Sequence, residues 1–489
     1  PPLIRLSQPA VPSRLRPPLV SSMNLQTTLL EHQQPVVQKM LPTRVGALFM
    51  DMGTGKTRVA IELAARRQAR IDRVLIFCPV SLKETWRHEI AKHTDAGPAD
   101  IYLFDDRTSQ RALPAAFWCV AGIESMSASN RMVLAANALI TERTFVIVDE
   151  SSYIKGHKAK RTERITAMSE RAHYRLLLTG TPLSQGVVDL YAQMRFLSPA
   201  ILGYSSFYSF AANHLEYSDK FPGLIVRAHR VDHLAAKIQP YVYQVTKDEC
   251  LDLPRKLYDS RYYGMTPEQR SQYEYAKAYY LDVEEITSYD LFRLFTSLQQ
   301  IISGYWRHPE TGEVIELPHY RLDMLTDALA SIPDGAKVIV WCKYHYSLRQ
   351  IVAMLAAEHG PEAVAQFHGD LSEQARNAEL VRFRDAARFL VATQSSGGHG
   401  LTLNEAHHAV FYENGFKYAE RAQAEDRCHR IGQTHPVTYL DLVCRRSIDE
   451  RIQRALADKA DVVEAFRRQV QQVKDKKDRA ALKALVLDL

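Results

Sequence analysis

The chain contains a stretch in which short apolar runs alternate with amphipathic segments. The segments have the apolar spacing of helices, as in KTRVAIELAARRQAR, which follows a Gly-rich turn. The runs between them are VGALFM (45–50), VLIFCP (74–79), FVIVDE (145–150) and RLLLTG (175–180). Fully apolar runs separated by helices are typical of parallel strands that are covered on both faces. The pattern predicts an α/β domain over residues 23–199.

The alternation stops near residue 200 and resumes near residue 321. Residues 200–320 are rich in tyrosine, and MTPEQRSQYEYAKAYYLDVEEI begins with a Thr-Pro pair suited to a helix start. We therefore predict a mostly helical insertion or linker over 200–320. A second α/β domain is predicted over 321–447, where the apolar runs are KVIVWC (337–342), AVAQFHG (363–369), RFLVAT (388–393), HAVFYE (408–413) and YLDLV (439–443).

The two ends of the chain differ from these domains. Residues 1–22 are rich in Pro and Ser and lack the long apolar core of a secretory signal, so we predict an irregular N-terminal arm. Residues 448–489 are highly charged and predict a C-terminal helical segment that packs by one face. The apolar positions at near-helical spacing in that segment are Ile452, Leu456, Val463 and Phe466.

Composition excludes several classes of protein. The 489 residues are 46% hydrophobic and 24% charged, which excludes a disordered or fibrous chain. Lys and Arg number 62 against 56 Asp and Glu, and the resulting net charge of +6 is compatible with nucleic acid without indicating it. No run of 18 apolar residues occurs, so we expect no membrane span.

The six cysteines are scattered, and no pair has the spacing of zinc ligands, so we expect no structural zinc site. Several lie inside apolar runs, which favours buried free thiols in a reducing compartment. The eighteen histidines show no metal-binding pattern, and packing is the better explanation of the adjacent pair His407 and His408. We expect the protein to be located in the cytoplasm of a bacterium or a virus-infected bacterium, or in the nucleus if the source is eukaryotic.

A phosphate-binding loop is predicted at MDMGTGKT (50–57), which follows a strand and opens a helix. Glycines let backbone N–H groups approach phosphate oxygens, and the helix N-terminus adds positive potential. Lys56 is expected to reach the outer phosphates of ATP, and the Thr57 hydroxyl to hold Mg²⁺. The strict motif has glycine where this chain has Met50.

An acidic pair ends the apolar strand FVIVDE. We expect Asp149 to bind Mg²⁺ through water, and Glu150 to orient or deprotonate the attacking water. A strand-end Asp-Glu pair is weak evidence alone, but it becomes specific together with the Lys56 loop.

Two arginines in QAEDRCHRIGQ (423–433), Arg427 and Arg430, are predicted to lie one helical turn apart on one face. Arginines aimed at the γ-phosphate can neutralise the charge that develops there. The alternative to this catalytic role is that both arginines lie on the solvent-exposed face of a helix.

With these motifs in this order, the chain resembles the superfamily-two helicase-type motors, and among them the Swi/Snf-type ATPases. The matching stretches run through much of the chain, and the last of them is the most specific. They are LLEHQQPVV (29–37), DMGTGKT (51–57), FCPVSLKETWRHEI (77–90), GIESMS (122–127), DESSYIKG (149–156), LLLTGTPLSQG (176–186), FHGDLSEQAR (367–376), SSGGHGLTLNEAHHAVFYENG (395–415) and DRCHRIGQTHPVTYLDLVCRRSIDERI (426–452).

The resemblance implies two RecA-like parallel-sheet domains and hydrolysis of ATP with Mg²⁺. The family's phosphate loop also lacks the first glycine. Gln33 matches the glutamine of the adenine-reading segment. The remaining residues expected to bind the nucleotide are Met52, Gly53, Thr54, Gly55, Lys56, Thr57 and, in the second domain, Gly400.

The resemblance also implies that double-stranded DNA crosses both domains and is held by its backbone, without sequence preference and with strong salt sensitivity. The expected contact residues are Lys83, Arg87, Ser125, Ser184, Gln185, Arg376, Ser395, Ser396 and Gly397. The tyrosine-rich helix around 273–280 could stack on bases, but core packing is the favoured interpretation.

The chain departs from the family pattern in three places. Ser151 and Ser152 stand where many relatives have Ala-His, and GFKYAERAQAEDR stands where a Trp-Asn-Pro segment is usual. His399 replaces a small polar residue.

We therefore predict a minimal, monomeric, DNA-stimulated ATPase that moves along duplex DNA and remodels or displaces what is bound there. A strand-separating helicase, the motor subunit of a restriction, defence, replication or repair complex, and a scaffold with a vestigial ATP site remain alternatives. Whether a protein partner targets the motor to its site of action is left open.

Overall fold

The computed structural model describes residues 23–180, 187–217, 225–250, 253–281, 288–308, 310–397 and 402–458. The chain divides into two compact units, with the boundary between residues 252 and 253. This boundary falls inside the segment 200–320. The predicted arm at 1–22 lies outside the described residues.

The first unit is built on a seven-stranded sheet in which every pair of neighbouring strands is parallel. Its strands are β1 (Val45–Met50), β2 (Arg73–Cys78), β3 (Ile101–Leu103), β4 (Trp118–Gly122), β5 (Thr144–Asp149) and β6 (Tyr174–Thr179). Two further strands, β7 (Leu215–Tyr217) and β8 (Ile225–Ala228), form a separate antiparallel pair, and β9 (Val242–Val245) completes the sheet. The order across it is β3-β4-β2-β5-β6-β1-β9.

Helices cover both faces of this sheet. They are α1 (Gln33–Met40), α2 (Lys56–Arg66), α3 (Lys83–His93), α4 (Ser125–Ala128), α5 (Asn130–Leu139), α6 (Lys160–Ser169), α7 (Val188–Leu197), α8 (Pro199–Leu202), α9 (Phe207–His214), α10 (Val231–Ile238) and α11 (Lys247–Cys250). Alternate residues of β1 enter different cores, since Ala47 and Phe49 join one and Leu48 and Met50 the other. This two-sided burial explains why the strands read as continuous apolar runs.

The second unit has a six-stranded sheet, again wholly parallel, in the order β10-β17-β16-β13-β15-β14. A short antiparallel pair, β11 with β12, stands apart from it. The strands of this unit are β10 (Lys256–Tyr263), β11 (Tyr305–Arg307), β12 (Val314–Glu316), β13 (Val338–Cys342), β14 (Val364–Phe367), β15 (Phe389–Thr393), β16 (His408–Phe411) and β17 (Val437–Cys444).

This sheet is also covered on both faces. The helices are α12 (Pro267–Leu281), α13 (Ser288–Ile302), α14 (Arg321–Ala330), α15 (His345–His359), α16 (Glu373–Asp385), α17 (Gln394–Gly397), α18 (Tyr418–Glu425) and α19 (Ile448–Ala457). Along β13, Val338 and Val340 join one core, whereas Ile339 and Trp341 join the other. The prediction of two parallel-sheet α/β domains is confirmed.

The segment 200–320 contributes strands that the sequence pattern did not predict. β9 lies beside β1 in the first sheet, and β10 lies beside β17 in the second. β10 was missed because several of its side chains are exposed, among them Tyr258 and Tyr262, so it lacks a continuous apolar run. The tyrosines of α12 behave as predicted, since Tyr273 and Tyr280 are buried in the core of the second unit.

The end of the described chain packs as expected. Ile452 of α19 is buried in the core of the second unit, and Leu456 packs against it. Val463 and Phe466 lie outside the described residues. The helix is fixed at its first turn by Asp449, whose carboxylate pairs with the fully buried guanidinium of Arg321.

The cysteines are free thiols, five of them buried and Cys250 half-buried, as their apolar surroundings predicted. Within the described ranges, no helix combines the length and apolar composition that a bilayer crossing requires.

Candidate functional site

The phosphate loop lies between the end of β1 and the start of α2. Gly53 and Gly55 have φ of +80° and +87°, a region that favours glycine. Gly55 occupies the N-cap position of α2, so the free N–H groups of the first helical turn face the loop. Thr54 is fully buried, and its hydroxyl donates to the backbone oxygen of Asp51 over 2.8 Å. The loop is therefore shaped by its own backbone as an anion cradle.

The ammonium group of Lys56 lies over this loop. Its Nζ donates to the backbone oxygens of Met50, at 2.7 Å, and Asp51, at 3.0 Å. Burial raises the pKa of Asp149, and the positive charge of Lys56 opposes that rise. Lys56 therefore interacts electrostatically with the acidic pair as well as with the loop.

Gln33 packs directly against the loop. Its Nε2 donates to the backbone oxygen of Thr54 over 3.1 Å, and its Oε1 accepts from the backbone N–H of Leu30 over 3.0 Å. A Cβ added at Gly55 would lie 2.2 Å from the same Nε2. The glutamine that the resemblance assigns to nucleotide binding therefore closes one side of the loop.

Asp149 ends β5 and is almost fully buried. The indole N–H of Trp86 donates to its Oδ2 over 2.9 Å, and the backbone N–H of Glu150 donates to its Oδ1 over 3.0 Å. Burial raises the pKa of this carboxyl, while the Trp86 hydrogen bond and the Lys56 charge oppose that rise. A buried carboxylate with two fixed donors has its remaining lone pairs in a defined orientation.

Glu150 has a strained backbone. Its φ of +50° and ψ of +58° place a non-glycine residue in the left-handed region. The following 3₁₀ turn, Ser151–Ile154, is anchored by Ser151, whose hydroxyl donates to Oε1 of Gln193 over 2.6 Å. Both of those side chains are fully buried. Strain of this kind persists where the surrounding packing determines the conformation, and it clusters at functional sites.

The sheet order brings these pieces together. β5, β6 and β1 are adjacent, so the acidic pair and the phosphate loop share the carboxyl edge of the sheet. Gly180, just after β6, approaches so closely that a Cβ there would lie 3.1 Å from Cγ of Met52 and 3.3 Å from its backbone nitrogen. The rest of the TGTPLSQG segment, including Ser184 and Gln185, lies outside the described residues.

The residues present fit ATP and Mg²⁺. The loop offers glycines at positive φ and a free helix N-terminus, and Lys56 adds an ammonium group. Asp149 offers a buried carboxylate, and Thr57 a hydroxyl in the first turn of α2. This donor set suits a polyphosphate neutralised by a hard divalent cation.

The two candidate arginines of the second unit follow a helix rather than lying in it, which corrects the predicted helical face. α18 ends at Glu425, and the backbone N–H of Arg427 bonds to the oxygen of Ala424, three residues back. Arg427 is buried and Arg430 half-buried. Gly432 has a φ of +96°, which ends the turn. Gly400 lies outside the described residues.

Arg421, which sequence reasoning missed, orders α18. Its guanidinium bonds to both carboxylate oxygens of Asp441 and, over 2.8 Å, to Glu425, and its charge centre lies 3.5 Å above the ring of Phe411. It also donates to Asn414 over 2.7 Å. The Trp-Asn-Pro segment that is usual in the family is not present here. The contacts of Arg421 instead order the helix that precedes Arg427 and Arg430.

Three of the nucleic-acid candidates gather at the carboxyl edge of the first sheet. Lys83 and Arg87 lie on α3, which follows β2, and Ser125 begins α4, which follows the neighbouring β4. Lys83 donates to the backbone oxygen of Phe104 over 2.8 Å. Arg87 is 50% exposed and pairs with Glu84 over 2.5 Å.

The other candidates gather at the carboxyl edge of the second sheet. Arg376 lies on α16 after β14, and Ser395, Ser396 and Gly397 form most of α17 after the adjacent β15. Ser396 bonds to the hydroxyl of Thr393, and Ser395 is exposed. The sequence candidates are therefore grouped at one edge within each unit.

Several contacts at the site could not be predicted from the sequence. Trp86 lies in the matching stretch FCPVSLKETWRHEI (77–90), but its bond to Asp149 joins residues 63 positions apart, and no local pattern reveals that. The same holds for Ser151 with Gln193 and for Arg421 with Asp441.

Comparison with known proteins gives two family matches. Residues 29–305 match the SNF2-related domain, and residues 320–432 match the helicase conserved C-terminal domain. The first match alone covers more than half of the chain.

Two curated relatives and one solved structure illustrate the similarity. Chromodomain-helicase-DNA-binding protein 1-like of Danio rerio is 23% identical over 420 residues, covering 82% of this chain and 40% of the relative. ATP-dependent DNA helicase DDM1 of Arabidopsis thaliana is 27% identical over 443 residues, covering 83% of this chain and 57% of the relative. The Sulfolobus solfataricus SWI2/SNF2 ATPase core in complex with dsDNA is 22% identical with a TM-score of 0.43, covering 94% of this chain and 98% of that one. The chain thus spans about half the length of these curated relatives.

Proposed function

The chain belongs to the SNF2-related domain family, and from this membership we propose that it is a DNA-dependent ATPase that moves along double-stranded DNA. Two of the relatives carry names that describe them as a helicase-DNA-binding protein and an ATP-dependent DNA helicase. The motor would remodel or displace proteins or structures on the duplex.

One observation supports the ATPase part most strongly. The Lys56 loop and the buried carboxylate of Asp149 lie at the carboxyl edge of one sheet, and the Lys56 charge already acts on Asp149. A vestigial site has no reason to keep a buried carboxylate whose burial raises its pKa, because that burial disfavours the folded state near neutral pH.

We assign the following roles. The loop N–H groups and Lys56 bind the phosphates, and Gln33 positions the loop and the base. Glu150 orients or deprotonates the attacking water. Arg427 and Arg430 neutralise charge that develops on the γ-phosphate. Asp149 and Thr57 would hold Mg²⁺, which supplies charge neutralisation on the phosphates when bound.

The DNA contacts are proposed to be contacts with the backbone. The candidate side chains are cationic or small and hydroxylic, a set that suits phosphates better than base edges. Binding would therefore be independent of sequence and sensitive to salt.

The first experiment measures ATP hydrolysis by the purified chain alone and with duplex DNA, single-stranded DNA or RNA. Glu150→Gln tests the acidic pair. Its matched control is Glu142→Gln, the same chemical change at an exposed residue that precedes the amino end of the same strand.

We expect strong stimulation by duplex DNA, lost in Glu150→Gln and kept in Glu142→Gln. Stimulation restricted to single strands or RNA would overturn the duplex motor in favour of a strand-separating helicase. Absence of hydrolysis under every condition would overturn the proposed activity of this chain in favour of a scaffold.

A second experiment tests the DNA surface. Arg87→Ala should weaken duplex binding equally for different sequences and reduce the slope of log K against log salt by about 1. Arg143→Ala is a matched control, since Arg143 is 52% exposed, pairs with Asp72 over 2.7 Å and lies at the opposite, amino edge of the same sheet. Equal effects of the two substitutions would contradict the proposed surface.

A further inference from the structure

Three side chains that can bind a metal converge at the carboxyl edge of the second sheet. His345 begins α15, three residues after β13, and His368 and Asp370 follow the end of β14. Both strands lie against β15, and all three run in parallel, so their carboxyl ends open on the same edge. The three residues therefore come from two separate loops of the fold.

The spacing of these side chains suits a small ion. Nδ1 of His345 lies 3.1 Å from Oδ2 of Asp370, and one ligand atom from each of the three residues lies within 4.8 Å of the others. Adjacent ligands of a tetrahedral zinc ion are about 3.3 Å apart, because each bond is about 2.0–2.2 Å long. The His345–Asp370 pair is close to that spacing.

The imidazole of His368 is available as a ligand. Its Nδ1 is buried and has no hydrogen-bond partner among the described residues. Its ring lies perpendicular to that of His345, with 5.4 Å between the centroids.

We propose that His345, His368 and Asp370 bind a divalent transition-metal ion of the zinc type. The two imidazoles are borderline nitrogen donors and the carboxylate is a hard oxygen donor, and the imidazoles make this set favour Zn²⁺, Co²⁺ or Ni²⁺ over Mg²⁺. Three protein ligands leave a fourth position open to water or another oxygen donor. In the described part of the chain, this is the one group of three such side chains that close together.

The surroundings limit the affinity. Arg376 follows on α16 and acts on His368 as a like charge, and the N-terminus of α15 adds positive potential beside His345. Asp370 supplies the compensating negative charge. Neither cysteine spacing nor clustered histidines in the sequence points to this group, because His345 and His368 are 23 positions apart.

The test titrates the full chain, without nucleotide, with Zn²⁺, Co²⁺ or Mg²⁺ by calorimetry, and records the visible spectrum of the Co²⁺ form. His345→Gln and Asp370→Asn remove ligands at side chains that are 42% and 74% exposed, which leaves the core untouched. His229→Ala is the matched control, because His229 also pairs with a carboxylate, Glu216, over 2.8 Å in an exposed position.

We expect one Zn²⁺ per chain whose affinity falls at least tenfold in His345→Gln and in Asp370→Asn and is unchanged in His229→Ala. The Co²⁺ absorption of a low-coordinate site should disappear in the same two variants. Equal Zn²⁺ affinity in all four proteins would overturn the proposal, as would Mg²⁺ binding as tight as Zn²⁺. Neither readout depends on ATP hydrolysis, so the outcome is separate from that of the proposed motor.

Discussion

The indole N–H of Trp86 donates a 2.9 Å hydrogen bond to Oδ2 of Asp149, the carboxylate that ends β5. Trp86 lies on α3, which also carries the proposed DNA contacts Lys83 and Arg87. One helix therefore contacts the carboxylate of Asp149, the proposed Mg²⁺ ligand, through Trp86 and also carries the two proposed DNA contacts. This gives the first unit a direct physical link between the two proposed sites.

Trp86→Phe should reduce the efficiency of ATP hydrolysis about 10- to 100-fold, because a hydrogen bond to a charged group is worth about 1.5–3 kcal/mol. In the unaltered protein the Trp86 hydrogen bond lowers the pKa of Asp149, so removing that bond should raise the pKa. Since the ionised carboxylate is the active form, the acid limb of the pH–rate curve should move to higher pH. Steady-state kinetics across pH measures both effects.

Trp118→Phe is the control for that substitution. Trp118 lies fully buried on β4, and its indole nitrogen has no hydrogen-bond partner among the described residues. The same change of size should leave the pH–rate curve in place. A shift of equal size in both variants would show that the Trp86 effect is one of packing alone.

Glu150 has a strained backbone and carries the carboxylate proposed to activate water, and two substitutions separate these two effects. Glu150→Ala and Glu150→Gly should both abolish hydrolysis, because both lack the carboxylate. The glycine variant should be more stable by about 1 kcal/mol, because a residue with a Cβ pays to hold the left-handed conformation. Urea unfolding of the two variants measures the difference, and equal stabilities would contradict the strain.

Gly55→Ala should abolish ATP binding. The added Cβ would lie 2.2 Å from Nε2 of Gln33, at a φ of +87°, so both the loop and the glutamine must shift. Fluorescent nucleotide binding measures the loss, which we expect to exceed 100-fold, about 3 kcal/mol. Gly97→Ala is the control, because its Cβ would make an ordinary 3.5 Å contact at a negative φ, and it should bind as the unaltered protein does.

Lys343 should make stability depend on pH. Its Nζ donates to Oε1 of Gln299 over 2.8 Å and lies 3.0 Å above the ring of Phe416, and the loss of hydration there lowers its pKa to about 7. The unfolded chain keeps a lysine pKa of about 10.4, so between these values the unfolded chain binds more protons. The free energy of unfolding should therefore rise with pH from 7 to 10, by about 1.4 kcal/mol per pH unit at most.

Lys343→Met should flatten that dependence in urea unfolding followed by tryptophan fluorescence, to which Trp306 and Trp341 of the same unit contribute. Lys92→Met, at a side chain that is 64% exposed, should keep the unaltered slope. An identical slope in all three proteins would show that the ammonium group does not control the effect.

Much of the fold was readable from the sequence. Strands such as β1 and β13 are buried on both faces, so nearly every position is apolar and the run stands out. β10 was not readable, because consecutive positions such as Leu257, Tyr258 and Asp259 are exposed, and the strand therefore lacks a continuous apolar run.

The nucleotide loop was readable because its chemistry is local. Lys56, Thr57 and the glycines must follow one another for the backbone to cradle a phosphate, and the acidic pair must end a strand. The sequence identified Arg427 and Arg430 as candidate residues, but it did not predict their backbone conformation. α18 ends at Glu425, before both arginines, and turn hydrogen bonds follow it, whereas the spacing alone suggested a helix.

By itself, the sequence determined the residue types at the phosphate loop, the acidic pair and the parallel strands, because each depends on neighbours along the chain. The tertiary structure alone decided that Trp86 holds Asp149, that Arg421 pairs with Asp441, and that His345 meets His368 and Asp370. Each of these contacts joins side chains from different elements. Strand order and helix packing create that proximity, and a short stretch of sequence carries no record of it.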